Sequence, residues 1–137
     1  MRALGIDYGT KRMGFAISDA TRTISQPLSV LERKSLAADM EHIRSLVDKF
    51  RVTTIVVGLP KAADGSLTRM AREIIFFIKE LKKHVNVPVI CWDESLSTLS
   101  SEELLIEADV SRKKRKKVID KIAASVILQH YLDGRKE

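Results

Sequence analysis

The stretch Leu4–Asp19, LGIDYGTKRMGFAISD, decides the fold. Leu4 and Ile6 open an apolar run, and Met13, Phe15 and Ile17 then alternate with Gly14, Ala16 and Ser18 at the strand period of two. Large residues go to one face of a sheet and small ones to the other. Tyr8 to Arg12 joins the two runs, with Gly9 expected at a positive backbone angle, so the unit is a β-hairpin. One carboxylate, Asp7, ends the first run where the turn and two basic residues, Lys11 and Arg12, begin. A third strand, about Thr23 to Leu31, continues the meander past Gln26-Pro27, and the proline marks it as an edge.

Beyond Ser35 the period changes. Leu36, Met40, Ile43, Val47 and Phe50 recur at helical spacing behind a good N-cap. TTIVVGLP, Thr53 to Pro60, is a β-branched run too continuous to be half exposed, as expected of a parallel strand covered on both faces. A second helix runs from about Leu67 to His84, and its stripe of Leu67, Met70, Ala71, Ile74, Phe77, Ile78 and Leu81 is broadened by Ile75 and Phe76. VPVICW, Val87 to Trp92, reads as another buried strand. After it, Ser100 and Glu103 have capping-box spacing, and SRKKRKK, Ser111 to Lys117, precedes a last helix ending near Leu132. The expected architecture is α/β: a five-stranded mixed sheet, with a three-strand antiparallel meander and two parallel strands, flanked by helices.

With 137 residues the chain suffices for one core, so a single domain over residues 1–137 is expected. A net charge of +6 favours a polyanionic partner such as nucleic acid. No apolar stretch approaches the roughly 18 residues of a membrane span, and no signal-peptide core precedes the first strand, so no membrane association or targeting segment is expected. The single cysteine, Cys91, reads as a core residue in a reducing cytoplasm. His42, His84 and His130 lack metal-ligand spacing and read as surface or border residues.

Three acidic positions recur at informative places: Asp7 ending the first strand, Asp93-Glu94 ending the last, and Asp120 on the last helix. In an open α/β sheet the crevice beyond the carboxyl ends of the strands is the usual binding site, and Asp7 and Asp93-Glu94 both arrive there. In helical phase, Val118, Ile119, Ile122, Ala123, Val126 and Ile127 form an apolar arc with Asp120 on its flank and Lys121 on the far side. Taken singly, these acids are a turn-former, a helix opener and a surface charge. Taken together they are like charges that need protons or cations to neutralise them. Hard divalent ions accept carboxylate oxygens, and a two-metal site stabilises both oxygens of an in-line phosphodiester displacement.

Six consecutive basic residues, Arg112, Lys113, Lys114, Arg115, Lys116 and Lys117, oppose the helix dipole, so local stability does not account for them. Phosphate binding does, and Lys11 and Arg12 extend that rim beside Asp7. Tyr8 is a candidate for substrate contact, whereas Trp92 and Tyr131 read as packing residues.

GIDYGTKRMGFAISD, VVGLPKAADGS, DESLST and KKRKKVIDKIAASVILQHYL, in this order across essentially the whole chain, resemble the YqgF/RuvX family. The resemblance implies a ribonuclease H-like fold, kinship with Holliday-junction resolvases, and a nuclease trimming the 5′ end of pre-16S ribosomal RNA. It carries an acidic triad onto Asp7, Glu94 and Asp120 as catalytic residues and ligands of Mg2+ or Mn2+, with Asp93 adjoining. Gly58, Asp64 and Gly65 match a cleft-lining loop, which makes Asp64 a substrate-binding candidate. The chain departs from the family pattern at two sites: Ser95 stands for an arginine, and Lys61-Ala62-Ala63 for Leu-Asn-Met.

The favoured reading is a metal-dependent phosphodiesterase on pre-16S RNA, with a Holliday-junction resolvase acting on branched DNA as the alternative. A non-catalytic nucleic-acid-binding module is a second class. An ATP-dependent phosphotransferase is a third, because DYGT resembles a phosphate loop, but such enzymes close two domains on the nucleotide. Either a monomer or a homodimer through Ile75 and Phe76 is compatible with the pattern.

Overall fold

The structure, a computed structural model, describes residues 1–60, 68–93 and 112–134, the stretch 112–118 by its backbone. Strands β1 (Arg2–Asp7), β2 (Arg12–Ser18), β3 (Ser25–Glu32), β4 (Val52–Leu59) and β5 (Val89–Asp93) alternate with helices α1 (Leu36–Phe50), α2 (Arg69–Lys82) and α3 (Arg112–Gly134). The sheet order is β3-β2-β1-β4-β5. β1, β2 and β3 form the antiparallel meander, while β1–β4 and β4–β5 pair in parallel. The mixed sheet expected from the sequence is the one observed.

The size alternation in Met13–Ser18 becomes two unequal layers. On the large-residue face, Leu4, Ile6, Met13, Phe15, Ile17, Ile55 and Val57 meet Met40 and Ile43 of α1 and Ile74, Phe77 and Leu81 of α2. On the small-residue face, Ala3, Ala16 and Val56 meet Ala124, Ile127, Leu128 and Leu132 of α3. Because little side chain stands on that face, the α3 backbone comes unusually close. A Cβ at Gly5 would lie 2.8 Å from Leu128 Cβ, and one at Gly14 would overlap the carbonyl of Asp120.

Local signals behave as their chemistry dictates. Ser35 caps α1 by accepting from the Ala38 amide at 3.1 Å, and Thr68 caps α2 by accepting from Ala71 at 3.0 Å. Pro27 sits on edge strand β3 opposite Ala16, where the β2–β3 register shifts, so its missing N–H costs no regular ladder bond. Asp19 organises the β2–β3 turn, accepting from Thr21 Oγ1 and from the amides of Thr23 and Ile24. Those bonds hold its carboxyl down at about 2.

Several expectations need correction. Gly9 does not adopt the left-handed conformation; it is required because a Cβ there would collide with the Arg12 carbonyl. β5 is the sheet edge opposite β3, so only Val89 of its residues is buried, Ile90 and Trp92 are half-buried, and Cys91 lies exposed rather than in the core. Ile75 packs against the core while Phe76 is exposed, so the two do not form one patch. The basic run Arg112–Lys117 does not precede α3 but forms its first turns, as the good helix propensity of Arg and Lys permits. Among the described residues no helix is long and apolar enough to cross a membrane.

Candidate active site

Strand alternation aims Asp7. Ala3 faces α3, so Gly5 and Asp7, two and four residues on, face it as well. The cross-strand partner of Asp7 is Gly14, the residue whose missing side chain admits the α3 backbone at Asp120. Asp7 and Asp120 are thereby brought to one spot, from a strand end and a helix more than a hundred residues apart in sequence.

The phase of α3 differs from the sequence reading. Ala124, Ile127 and Tyr131, four, seven and eleven residues beyond Asp120, lie on the sheet-facing side. Asp120 therefore belongs to that side rather than to the flank of an arc centred on Ile122 and Val126, which are only half-buried. Lys121 is half-buried as well. α3 carries apolar residues almost all round, so periodicity leaves its phase open; the glycines of the sheet decide it.

The electrostatics follow from this placement. Burial, reinforced by the neighbouring charge of Asp120, pushes the Asp7 carboxyl up from 3.8 to about 7. Asp120 has its own counter-charge: Arg12 Nε donates to Asp120 Oδ2 at 2.8 Å in a partly exposed pair. The sequence puts Arg12 on a phosphate-facing rim, whereas in the structure its Nε is committed to the acid. Lys11 is exposed at the turn.

Tyr8 packs rather than projects. Its ring centroid lies 5.0 Å from that of Phe77, and the Arg33 guanidinium carbon sits 4.8 Å from it on a face. Arg33 also donates from Nε to Asp39 Oδ2 at 2.8 Å and from Nη1 to the Gly9 carbonyl at 3.1 Å. Arg33 and Asp39 are the residues here that sequence reasoning missed. The available signal was an acid lying between Leu36, Met40 and Ile43 on the apolar stripe of α1, a place that demands a cationic partner.

At the far edge, Asp93 pairs in register with Leu59 at the carboxyl end of β4, the end of the sheet where Asp7 lies. By alternation it shares the face of Val89, which belongs to the α1–α2 layer. Trp92 turns to the α3 side, where it meets Tyr131 edge to face at 5.5 Å, as a packing residue does. Glu94, Asp64, Gly65 and Ser95, with Lys61-Ala62-Ala63, lie outside the described residues, as do the side chains of Arg112 to Lys117.

Among the described residues no three His, Cys, Asp or Glu side chains converge on a metal-sized space. Asp7 and Asp120 supply two hard oxygen donors, one held near neutrality and one already paired with a cation. That donor set suits Mg2+ or Mn2+ rather than a softer metal, and a cation there would offset the burial and the Asp120 charge that together raise Asp7.

Three comparisons with known proteins bear on this site. The family model described as "RuvX: Holliday junction resolvase" matches residues 1–134. A protein of Halothermothrix orenii is 53% identical over 133 residues, covering 97% of this chain and 95% of its own length. One of Caldanaerobacter subterraneus subsp. tengcongensis is 48% identical over 137 residues, covering 99% of both chains. Both carry the name "Putative pre-16S rRNA nuclease". Among solved structures, T. thermophilus RuvC in complex with Holliday junction substrate superposes with a TM-score of 0.60 at 14% identity, over 98% of this chain and 95% of that one. Fowlpox virus resolvase with junction DNA gives 0.59 at 16% identity, over the whole of both chains. At these identities the likeness establishes the shared ribonuclease H-like fold.

Proposed function

The chain belongs to the RuvX family, and from that footing we propose that it is a cytoplasmic, divalent-metal-dependent nuclease, one domain throughout, that processes the 5′ end of pre-16S ribosomal RNA. The observation that carries this reading is the meeting of Asp7 and Asp120 beneath α3, with the Asp7 carboxyl raised to about 7. A buried carboxyl set beside a second acid is costly in a purely structural role and useful where a cation is to be held. The names of the full-length relatives support the substrate.

Asp7, Asp120 and Glu94 would hold Mg2+ or Mn2+. Glu94, which lies outside the described residues, is taken as third ligand from the match of DESLST to the family's motif. When bound, the metal supplies charge stabilisation to the attacking and leaving oxygens of the phosphodiester. The chain's own groups do the rest. Asp7, fixed by its ladder pairing to Gly14, sets the position of the reacting centre. Arg12 holds Asp120 Oδ2 in place.

The α3 backbone continues for eight residues ahead of Asp120, about 12 Å at helical rise. This carries the Arg112 to Lys117 turns beyond the acids, where they would track the phosphates on either side of the cut together with Lys11. Tyr8, covered by Phe77 and Arg33, would shape the floor of the site rather than stack on a base.

A second reading, cleavage of four-way DNA junctions, is favoured by the description of the family model itself. The experiment is cleavage by the purified chain, with Mg2+ and with Mn2+, of 5′-extended 16S RNA and of a four-way junction side by side. Cutting of the RNA at its 5′ extension is expected. Cutting of the junction alone selects the second reading, and inactivity on both substrates with both metals overturns the nuclease assignment.

A further inference from the structure

Asp7 ends its strand, and the ladder ends with it: the last paired residues of the hairpin are Asp7 and Gly14. Residues 8–11 must cross back without further pairing to β2, next to two carboxylates that repel one another. Among the described residues, one side chain holds that crossing. Arg33 donates Nη1 to the Gly9 carbonyl at 3.1 Å and lies over the Tyr8 ring at 4.8 Å. Its own amide donates to the Lys11 carbonyl at 2.9 Å. Its Nε is anchored in turn to Asp39, on the first turn of α1 and only 1% exposed, at 2.8 Å. The core-facing side of Tyr8 is closed by Phe77.

We propose that Arg33, oriented by buried Asp39, is a positioning residue for Asp7: it ties the turn after Asp7 to α1 and holds the carboxylate where it meets Asp120. The planar fork of a guanidinium reaches a carboxylate, a carbonyl and a ring face from one place, which a lysine ammonium does not. The substitution Arg33→Lys therefore keeps a charge for Asp39 but releases Gly9 and Tyr8. Groups that orient metal ligands from behind typically contribute tenfold to a hundredfold to metal affinity or activity, and Arg33 stands one step behind Asp7 in that sense. The inference rests on Asp7 acting as a metal ligand, so the test separates the two claims.

Wild type and Arg33→Lys are compared by amide hydrogen exchange at residues 8–11, by Mn2+ titration calorimetry, and by kcat and KM on 5′-extended 16S RNA. Expected for Arg33→Lys is exchange at residues 8–11 about tenfold faster with α1 and β1 unchanged. Mn2+ affinity should be about tenfold weaker, and kcat about tenfold to a hundredfold lower with KM within about twofold. Wild-type exchange at residues 8–11 together with wild-type Mn2+ affinity would overturn the proposal.

If the lysine variant does not fold, the pair Arg33→Met with Asp39→Leu removes both buried charges together, and the same loss of Mn2+ affinity is required of it. A wild-type chain that binds Mn2+ but leaves RNA uncut refutes the nuclease reading while exchange and Mn2+ affinity still decide the role of Arg33. One that binds no Mn2+ refutes Asp7 as a ligand, and with it this role for Arg33.

Discussion

Replacing Asp7 by asparagine removes a titrating group and keeps its shape, and its effect on stability has a sign that depends on pH. The folded chain holds the Asp7 proton up to about 7, whereas the unfolded chain releases it near 3.8. Between those values the folded state binds more protons, so stability falls as pH rises through the window and levels off above about 7. By linkage, this group alone costs the wild type about 2.5 kcal/mol between pH 5 and pH 8. Asp7 keeps some contact with solvent, and screening trims the figure to roughly 1.5–2.5 kcal/mol.

The amide of the Asp7→Asn variant has no such dependence. Urea unfolding of both proteins in chelator at pH 5 and pH 8 measures the difference and cancels the titration of every other group. Asp7→Asn should stabilise the chain more at pH 8 than at pH 5 by that amount. An equal effect at both values, or a variant relatively less stable at pH 8, would refute the argument that Asp7 is buried against a second acid. With Mg2+ at a hundred times its dissociation constant the wild type should gain about 2.7 kcal/mol, and the variant should gain much less.

Gly14→Ala places a methyl where the Asp120 carbonyl lies, so α3 must shift; a loss of about 3 kcal/mol in urea unfolding and of Mn2+ binding is expected, and wild-type values would contradict the close approach. Ser35→Ala removes the α1 cap and should cost about 1 kcal/mol by the same assay, with Mn2+ affinity unchanged. Asp19, held at about 2 by the turn amides and Thr21, contributes stability that is present above about 4 and lost as pH falls through about 2. The acid limb of the unfolding curve should therefore flatten in Asp19→Ala.

The layers of this fold were legible because one hairpin sorts its residues by size. Met13, Phe15 and Ile17 against Gly14, Ala16 and Ser18 announce a thick core on one side and a closely laid helix on the other. The place of Asp7 at the carboxyl end of its strand was legible from the same stretch, whereas its pairing with Asp120 came from the family resemblance, because nothing in the hairpin says which helix covers the small side. The rotation of α3 was not. Apolar residues surround that helix, and the contacts of Asp120 with Gly14, of Leu128 with Gly5 and of Ile127 with Gly58 select its face. Cys91 was misread because β-branched neighbours signal a strand without saying whether it lies at an edge. The Arg33–Asp39 pair escaped because it joins two elements through charge rather than through a contiguous motif.

The central claim is that Asp7 and Asp120 share a divalent cation. Anomalous diffraction from crystals soaked in Mn2+ tests it most directly. A peak about 2.0–2.3 Å from a carboxylate oxygen of each residue is the predicted result. A saturating soak that leaves no peak between them, with Arg12 still bonded to Asp120, would contradict it.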